Sequence, residues 1–285
     1  MAETRIDSLN VLLDPSGKML LKEKYDGVIA NVQKGTISTL IKNKDLSGNP
    51  EAGTVEAKRF TNSASAAYGT ARTAGKGTAI KGKPVTIALD QNREFVEELE
   101  KKDISLLGVD GLVSKRTSNH AKRLAAELDT KFFAVAVDEG TAFEPSDGAT
   151  TIALKIEEAI LTLETLKNDY IDGLDRDMLS VVCSPATYSA MRNFLDTQYN
   201  SNVNTAAGEF YRYHGVKIFN SSRLPEGTEF VVMMDESIAE PIVTHTYQAE
   251  PIPLSDAIAL EMFYYYGCKA VTPETILHYE TPVSP

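Results

Sequence analysis

The chain has 285 residues, 42% of them hydrophobic and 24% charged, an ordinary globular composition with apolar material for one large or two modest domains. Its net charge of −11 lacks the basic footprint of a duplex-DNA binder. No apolar run approaches the roughly 20 residues of a membrane helix, and residues 1–10 are polar and acid-bearing, unlike a secretory or transit leader; a cytoplasmic origin and no membrane partner are expected.

Residues 1–23 read as an irregular arm. Over 24–43, Val28, Ile29, Val32, Ile37, Leu40 and Ile41 recur at mixed helical spacing and predict a helix that Gly35 weakens. The character then changes. Between 44 and 84, Gly, Ser, Thr and Ala dominate and large apolar residues almost vanish. Residues 54–87 carry Lys58, Arg59, Arg72, Lys76, Lys81 and Lys83 against one acid, Glu56; that net +5 leaves −16 for the rest of the chain. Such a segment cannot bury a core of its own. It is bracketed by strand-like runs at 53–60 and 84–89, which predicts a long extended hairpin. Long loops in compact domains usually bind something. The charge split points to an acidic surface, most simply that of a neighbouring copy.

Residues 94–103 are acidic and polar. From 110 to 136, Val113, Thr117, Ala121, Leu124, Leu128, Phe132 and Val135 recur at steps of three and four, predicting one long amphipathic helix of about 40 Å. A Gly-, Pro- and Asp-rich loop at 138–150 marks a boundary. A second amphipathic helix is expected over 152–166 and a buried strand over 178–183. Ser184-Pro185 opens a further helix, with Ser as N-cap and Pro at its first position. An Asn- and Gly-rich surface loop at 197–214 is followed by strands at 215–220 and 229–234 around the turn at 224–227. β signals return at 258–266 and 275–279.

Catalytic and metal motifs are weak. Gly77 to Lys83 imitates a phosphate-binding loop, but Pro84 stands where a hydroxyl should hold magnesium, and a strand follows where a helix is needed. Asp172, Asp175 and Asp177 depart from calcium-loop spacing and read as a solvated turn. His120, His214, His245 and His278 are far apart in sequence, and His120 reads as a surface or interfacial residue. The pairs Glu97/Glu98 and Glu157/Glu158 read as wet faces. Cys183 and Cys268 sit in apolar runs and read as buried thiols, with no zinc spacing and no expected disulfide. No catalytic residue, metal site or cofactor is predicted.

The order of these elements resembles the major capsid proteins of tailed bacteriophages, the Hong Kong 97-type fold. The similarity runs over nearly the whole chain: Val85 to Asp90 with Glu94-Phe95-Val96, His120 to Asp129, Ser184 to Tyr188, Gly215 to Ile218 with Ser221 to Pro225, and Tyr266 to Val271 with Pro273. The resemblance implies an α+β fold: an N-terminal arm (1–43), an extended β-hairpin arm (44–93), a peripheral domain with a spine helix (94–149 and 246–285) and an axial α/β domain (150–245). It implies a structural protein that self-assembles in hexamers and pentamers into an icosahedral shell around double-stranded DNA, in the virion, after assembly in the host bacterial cytoplasm. A portal is an implied partner, and so is a separate scaffolding protein, or none, since only a short arm precedes the hairpin. Lys58, Arg59, Arg72, Lys76, Lys81 and Lys83 are the expected intersubunit contacts. Lys76, Lys81 or Lys83 would be the lysine of a covalent cross-link, but nothing marks a partner, and none is predicted. Two other readings stay open: an encapsulin-type compartment shell, and a two-domain α/β enzyme with a basic lid loop.

Overall fold

The computed structural model describes residues 8–62, 65–77, 81–197 and 212–281. Most of the loop expected at 197–214, and residues 78–80 of the glycine-lysine stretch, lie outside the described residues.

Residues 1–7 of the expected irregular arm lie outside the described residues; from Leu9 on, the N-terminal region is helical. A 3-10 turn (Leu9–Leu13) leads into α1 (Pro15–Gly35). Asp14 is the extended N-cap and Pro15 fills the first helical position, where its missing N–H costs nothing. Leu21, Val28 and Val32 form the buried stripe of α1. One further turn, α2 (Ser38–Ile41), completes the entry. Then come β1 (Leu46–Ser47), β2 (Thr54–Phe60), the short α3 (Thr70–Ala74) and β3 (Gly82–Ala88).

The polar stretch after the hairpin is a strand, β4 (Gln91–Leu99), which begins inside the span assigned to the arm. Its alternation escapes a hydropathy reading because two of its three inward positions, Phe95, Glu97 and Leu99, flank an acid. The spine α4 (Lys101–Glu139) starts earlier than expected, with the Asp103 carboxylate accepting from the Glu100 N–H at 3.3 Å. Gly108, at φ 70 and ψ 173, breaks it into a short and a long segment, a backbone shape that glycine adopts without a Cβ penalty.

After β5 (Thr141–Ala142) the chain builds α5 (Ile152–Glu164), β6 (Leu179–Cys183) and α6 (Pro185–Asp196). Ser184 caps α6 by accepting from the Thr187 N–H at 3.2 Å. β7 (Arg212–Tyr213), β8 (Val216–Asn220) and β9 (Thr228–Met234) follow. The remaining strands are β10 (Ile238–Ala239), β11 (Ile242–Thr244), β12 (Gln248–Pro251), β13 (Ile258–Tyr266), β14 (Lys269–Ala270) and β15 (Ile276–Glu280).

Two sheets organise the body. In one, β13 is flanked by β4 on one side and by β11 and β12 on the other. Its inner face, with Leu260, Met262, Tyr264 and Tyr266, packs on α4 and α1. The other is six-stranded, in the order β5-β15-β9-β6-β8-β7. One of its faces packs on α5 and α6; the opposite face packs on Phe132, Phe133 and Ala136 of α4. The spine therefore serves both cores, one along each part of its length. β15 pairs antiparallel with β9 and parallel with β5, so within the six-stranded sheet 276–280 links the 150–245 span to the end of the 94–149 span. Ile276, Leu277, His278 and Tyr279 are all buried, and only a sheet covered on both faces can bury a strand that way.

At Gly267 the chain passes so close to the hairpin root that a Cβ would lie 1.9 Å from the Ala88 carbonyl oxygen. Backbone cannot yield as a side chain end can. Gly267→Ala should lower stability by about 1–3 kcal/mol, the range for overpacking, read as a drop in denaturation midpoint of the unassembled chain. An unchanged midpoint would show that the two segments are not packed this tightly.

Candidate intersubunit contact site

The hairpin is held at its root and open at its tip. β2 and β3 pair in register from Thr54 opposite Ala88 to Phe60 opposite Gly82. The period-2 alternation puts Val55, Ala57 and Ile87 on one face, where they pack on Ala239 and Val271. Leu89 N–H donates to the Gly53 carbonyl at 2.9 Å and closes the base.

Arg59 is the next anchor, and here the sequence expectation is corrected. Its guanidinium lies 3.9 Å from the centre of the Tyr170 ring and pairs with Glu274. Only 12% of its side chain is exposed, so it is committed within its own chain and not available to a neighbour. An inward register position on β2 brings it against the six-stranded unit. Asn62 N–H donating to the Asp169 carbonyl at 2.9 Å extends the same contact.

Beyond Asn62 the arm leaves the body. Gly69 and Gly75, both left-handed, bound α3. Tyr68 is 93% exposed, and the Arg72 guanidinium lies 5.4 Å from its ring centre. Lys58 on β2, Arg72 on α3, Lys76, Lys81 and Lys83 are exposed. None forms an ion pair among the described residues. The structure thus groups five of the six predicted cations on an exposed arm and assigns the sixth to its anchor.

The root of the arm contains a buried polar junction that the sequence did not disclose. Lys42 Nζ donates to the Glu240 carbonyl at 3.0 Å and to its carboxylate at 3.4 Å. Asn43 N–H bonds the Ile238 carbonyl, and Glu236 N–H the Ile41 carbonyl, each at 2.7 Å. Asp129, from the spine, accepts from Ile37 N–H at 3.2 Å and Ser38 N–H at 2.9 Å, capping the turn that precedes α2. Burial raises the Glu240 carboxyl to about 7, with Lys42 pulling the other way.

A second network lies under β4. His120 is buried rather than on the surface: its Nδ1 is 2.8 Å from the Tyr247 hydroxyl and its ring stacks on Phe95 at 4.5 Å. Glu97 pairs with Arg116, and the Arg116 hydrogen bond, the largest influence, holds its carboxyl below the usual range. Glu127 accepts from the Tyr264 and Tyr266 hydroxyls at 2.7 and 2.8 Å and pairs with Arg93. Of the paired glutamates expected to be wet, Glu98 is exposed and the other three are engaged. Besides Glu97, Glu157 pairs with Arg176, and Glu158 accepts from Ser146. Asp172 pairs with Lys167 at 2.9 Å. Cys183 is a free, fully buried thiol whose pKa burial pushes up to about 12, and Cys268 is free and half-buried.

A family model described as phage capsid protein matches residues 93–278, more than half of the sequence, and the chain belongs to that family. It is accordingly a structural, shell-forming protein of the virion. No curated relative matches the sequence. Solved structures share its fold at low identity. The Gordonia phage Cozz structure is 14% identical with a TM-score of 0.61, covering 87% of this chain and 86% of that one. The Mycobacterium phage Che8 structure is 19% identical with a TM-score of 0.54, covering 82% and 85%. A virus-like particle from Pyrococcus furiosus is 11% identical with a TM-score of 0.56, covering 90% and 98%. The Hong Kong 97-type architecture that the element order resembles is the architecture of the chain.

Two predictions concern the junction. Asp129→Ala strips one buried and one part-buried N–H group of their acceptor and should cost about 1–3 kcal/mol, measured by denaturant unfolding of the subunit; a loss below about 0.5 kcal/mol would contradict the cap. Glu240 binds its proton more tightly folded than unfolded. Its contribution is intact below the unfolded value near 4.5, falls as pH rises, and is lost above about 7. Across that window wild type should lose on the order of 3 kcal/mol relative to Glu240→Gln. Parallel stability–pH curves for the two proteins would contradict it.

Proposed function

We propose that this chain builds the icosahedral head shell of a tailed phage, in hexamers and pentamers around double-stranded DNA, assembling in the bacterial cytoplasm. In this reading the axial α/β unit gathers at the ring centre and the spine unit lies outward. The hairpin of each copy reaches over its neighbour in the ring through Lys58, Arg72, Lys76, Lys81 and Lys83. A separate scaffolding protein and a portal complete the assembly partners. The role requires no catalysis and no cofactor.

One observation carries the reading: an arm anchored at its root presents five exposed cations that have no acid partner among the described residues. Exposed ion pairs are individually worth about 0–1 kcal/mol. Repeated around a ring they set register and disfavour wrong partners. Head-to-tail contacts of this kind close into rings when the rotation permits. The −16 carried by the rest of the chain keeps the shell from gripping packaged DNA.

Replacing Arg72, Lys76 and Lys81 by Glu should leave the subunit folded and cut particle yield at least about tenfold, as like charges meet across each contact; negatively stained micrographs report it. Normal particles would overturn the electrostatic arm. Wild-type cages filled with protein instead of DNA, isolated from the native source, would overturn the genome shell.

A further inference from the structure

The solvent side of the spine carries charge of the sign opposite to that of the chain, whose net charge is −11. Over residues 115–131 of α4, Lys115, Arg116, Lys122, Arg123 and Lys131 stand outside the core, while the acids of that stretch, Glu127 and Asp129, are both engaged within the chain. Between this side of the helix and β4 lies a groove of about 770 Å³. Arg116, Arg123 and Lys131 line it at steps of seven and eight, two helical turns each, so they form one row of about 22 Å. Arg93 enters from β4, and Arg223 from the turn after β8.

The two acids of the groove are already occupied. Glu97 pairs with Arg116 and lies 3.2 Å from His120 Nε2, and Glu127 pairs with Arg93 and accepts from Tyr264 and Tyr266. Arg123, Lys131 and Arg223, which share the groove, form no ion pair among the described residues. Asp129 feels the charge of Arg223 but spends its carboxylate on the Ile37 and Ser38 N–H groups. At 0.1 M salt a charge is screened beyond about 10 Å, so this local set, and not the total of the chain, decides what approaches. The floor is apolar, formed by Phe95, Ala126, Ala134 and Tyr266. Phe95 is stacked on His120 and lies beside Tyr264, with ring centres 4.5 and 5.4 Å away, and Tyr266 is 2% exposed. Neither ring offers the free face on which a nucleobase stacks.

We infer that this groove seats an acidic segment of a partner protein. Such a segment sets apolar side chains on the floor between Phe95 and Ala126 and brings carboxylates to Arg123, Lys131 and Arg223, two of which offer the forked donor geometry that suits a carboxylate. Contact with the floor supplies burial, and the row of cations fixes register. The hairpin arm, itself basic, is excluded as the occupant by its charge. In a second copy, Glu94, Glu98, Glu250 and Glu261 stand together on the outer face of the β4–β13–β12 sheet, a broad surface that a groove does not admit. The contact lies on the spine, away from the arm, and does not depend on where the arm binds.

The test titrates the full-length, unassembled chain with a fluorescent synthetic peptide of about 16 residues, with glutamates and leucines at helical spacing, long enough to cover the row. Binding should saturate, and should weaken at least about tenfold when the glutamates of the peptide become glutamines or when the chain carries Arg123→Glu, Lys131→Glu and Arg223→Glu. The variant with Arg72, Lys76 and Lys81 replaced by Glu should keep the wild-type affinity within about twofold, because its changes are remote from the groove. Absence of saturable binding, an affinity that survives the groove substitutions, or its loss in the arm variant overturns the inference. Duplex DNA bound as tightly as the peptide, and released by the same substitutions, makes the groove a nucleic-acid contact and overturns it too. Sedimentation of the groove variant should match wild type; lost self-association assigns the groove to a second copy, with the same consequence. Should the triple variant fail to fold, Arg123→Gln with Lys131→Gln replaces it, with binding expected to weaken about threefold. Unchanged affinity in that pair overturns the inference.

Discussion

The root of the β2–β3 hairpin is clamped, and the presentation of charge by this protein depends on that clamp. A two-stranded ribbon buries too little to hold itself in place. Here Val55, Ala57 and Ile87 borrow a core from Ala239 and Val271, and Gly267 lets the chain close to backbone distance of Ala88. Arg59 extends the anchor along the ribbon by stacking on Tyr170 and pairing with Glu274. A hairpin fixed over its first turns has a defined direction of exit. Its distal cations are therefore delivered to a place rather than scattered through a volume.

The clamp stands at a crossing of structural units. β10 and the Lys42–Asn43 segment meet beside it, between the six-stranded sheet and the β13 sheet. Asp129 reaches the same crossing from α4, which packs on both cores. Glu240 is buried there next to Lys42. A buried pair is weak support for stability in itself, because desolvation offsets much of its attraction. Its value is positional: a change at the spine, at α2 or at the root is felt by the other two. In a shell protein whose subunits must agree on one geometry, such a shared joint ties the arm to the body that carries it.

Much of the architecture was legible in the sequence because it follows from periodicity. The strands around 179–183 and 258–266 are runs of apolar and aromatic residues, and Ser184-Pro185 is a direct start signal. The hairpin was legible from composition, since its flanks read as strands and its middle cannot form a core. Other features were hidden for physical reasons. Asp14-Pro15 carries a start signal for α1, but the Ser16-Gly17-Lys18 turn that follows masks it. β4 alternates with glutamate at an inward position, which hydropathy counts as exposure. His120 falls on the same helical stripe as Val113, Thr117 and Leu124, yet a histidine between cationic neighbours looks like surface. Arg59 could not be told from the other five arm cations without knowing that Tyr170 and Glu274 lie beside it. The buried acids Asp129 and Glu240 depend wholly on tertiary partners.

The central claim is that the arm is anchored within its own chain at the root and satisfied at its tip only by another copy. Amide hydrogen exchange, compared between unassembled subunit and intact particles, addresses it directly. The account predicts protection of the paired amides of 54–60 and 82–88 in both states, and protection across 65–77 only in particles. Equal protection of 65–77 in the lone subunit, or none in the particle, would contradict it.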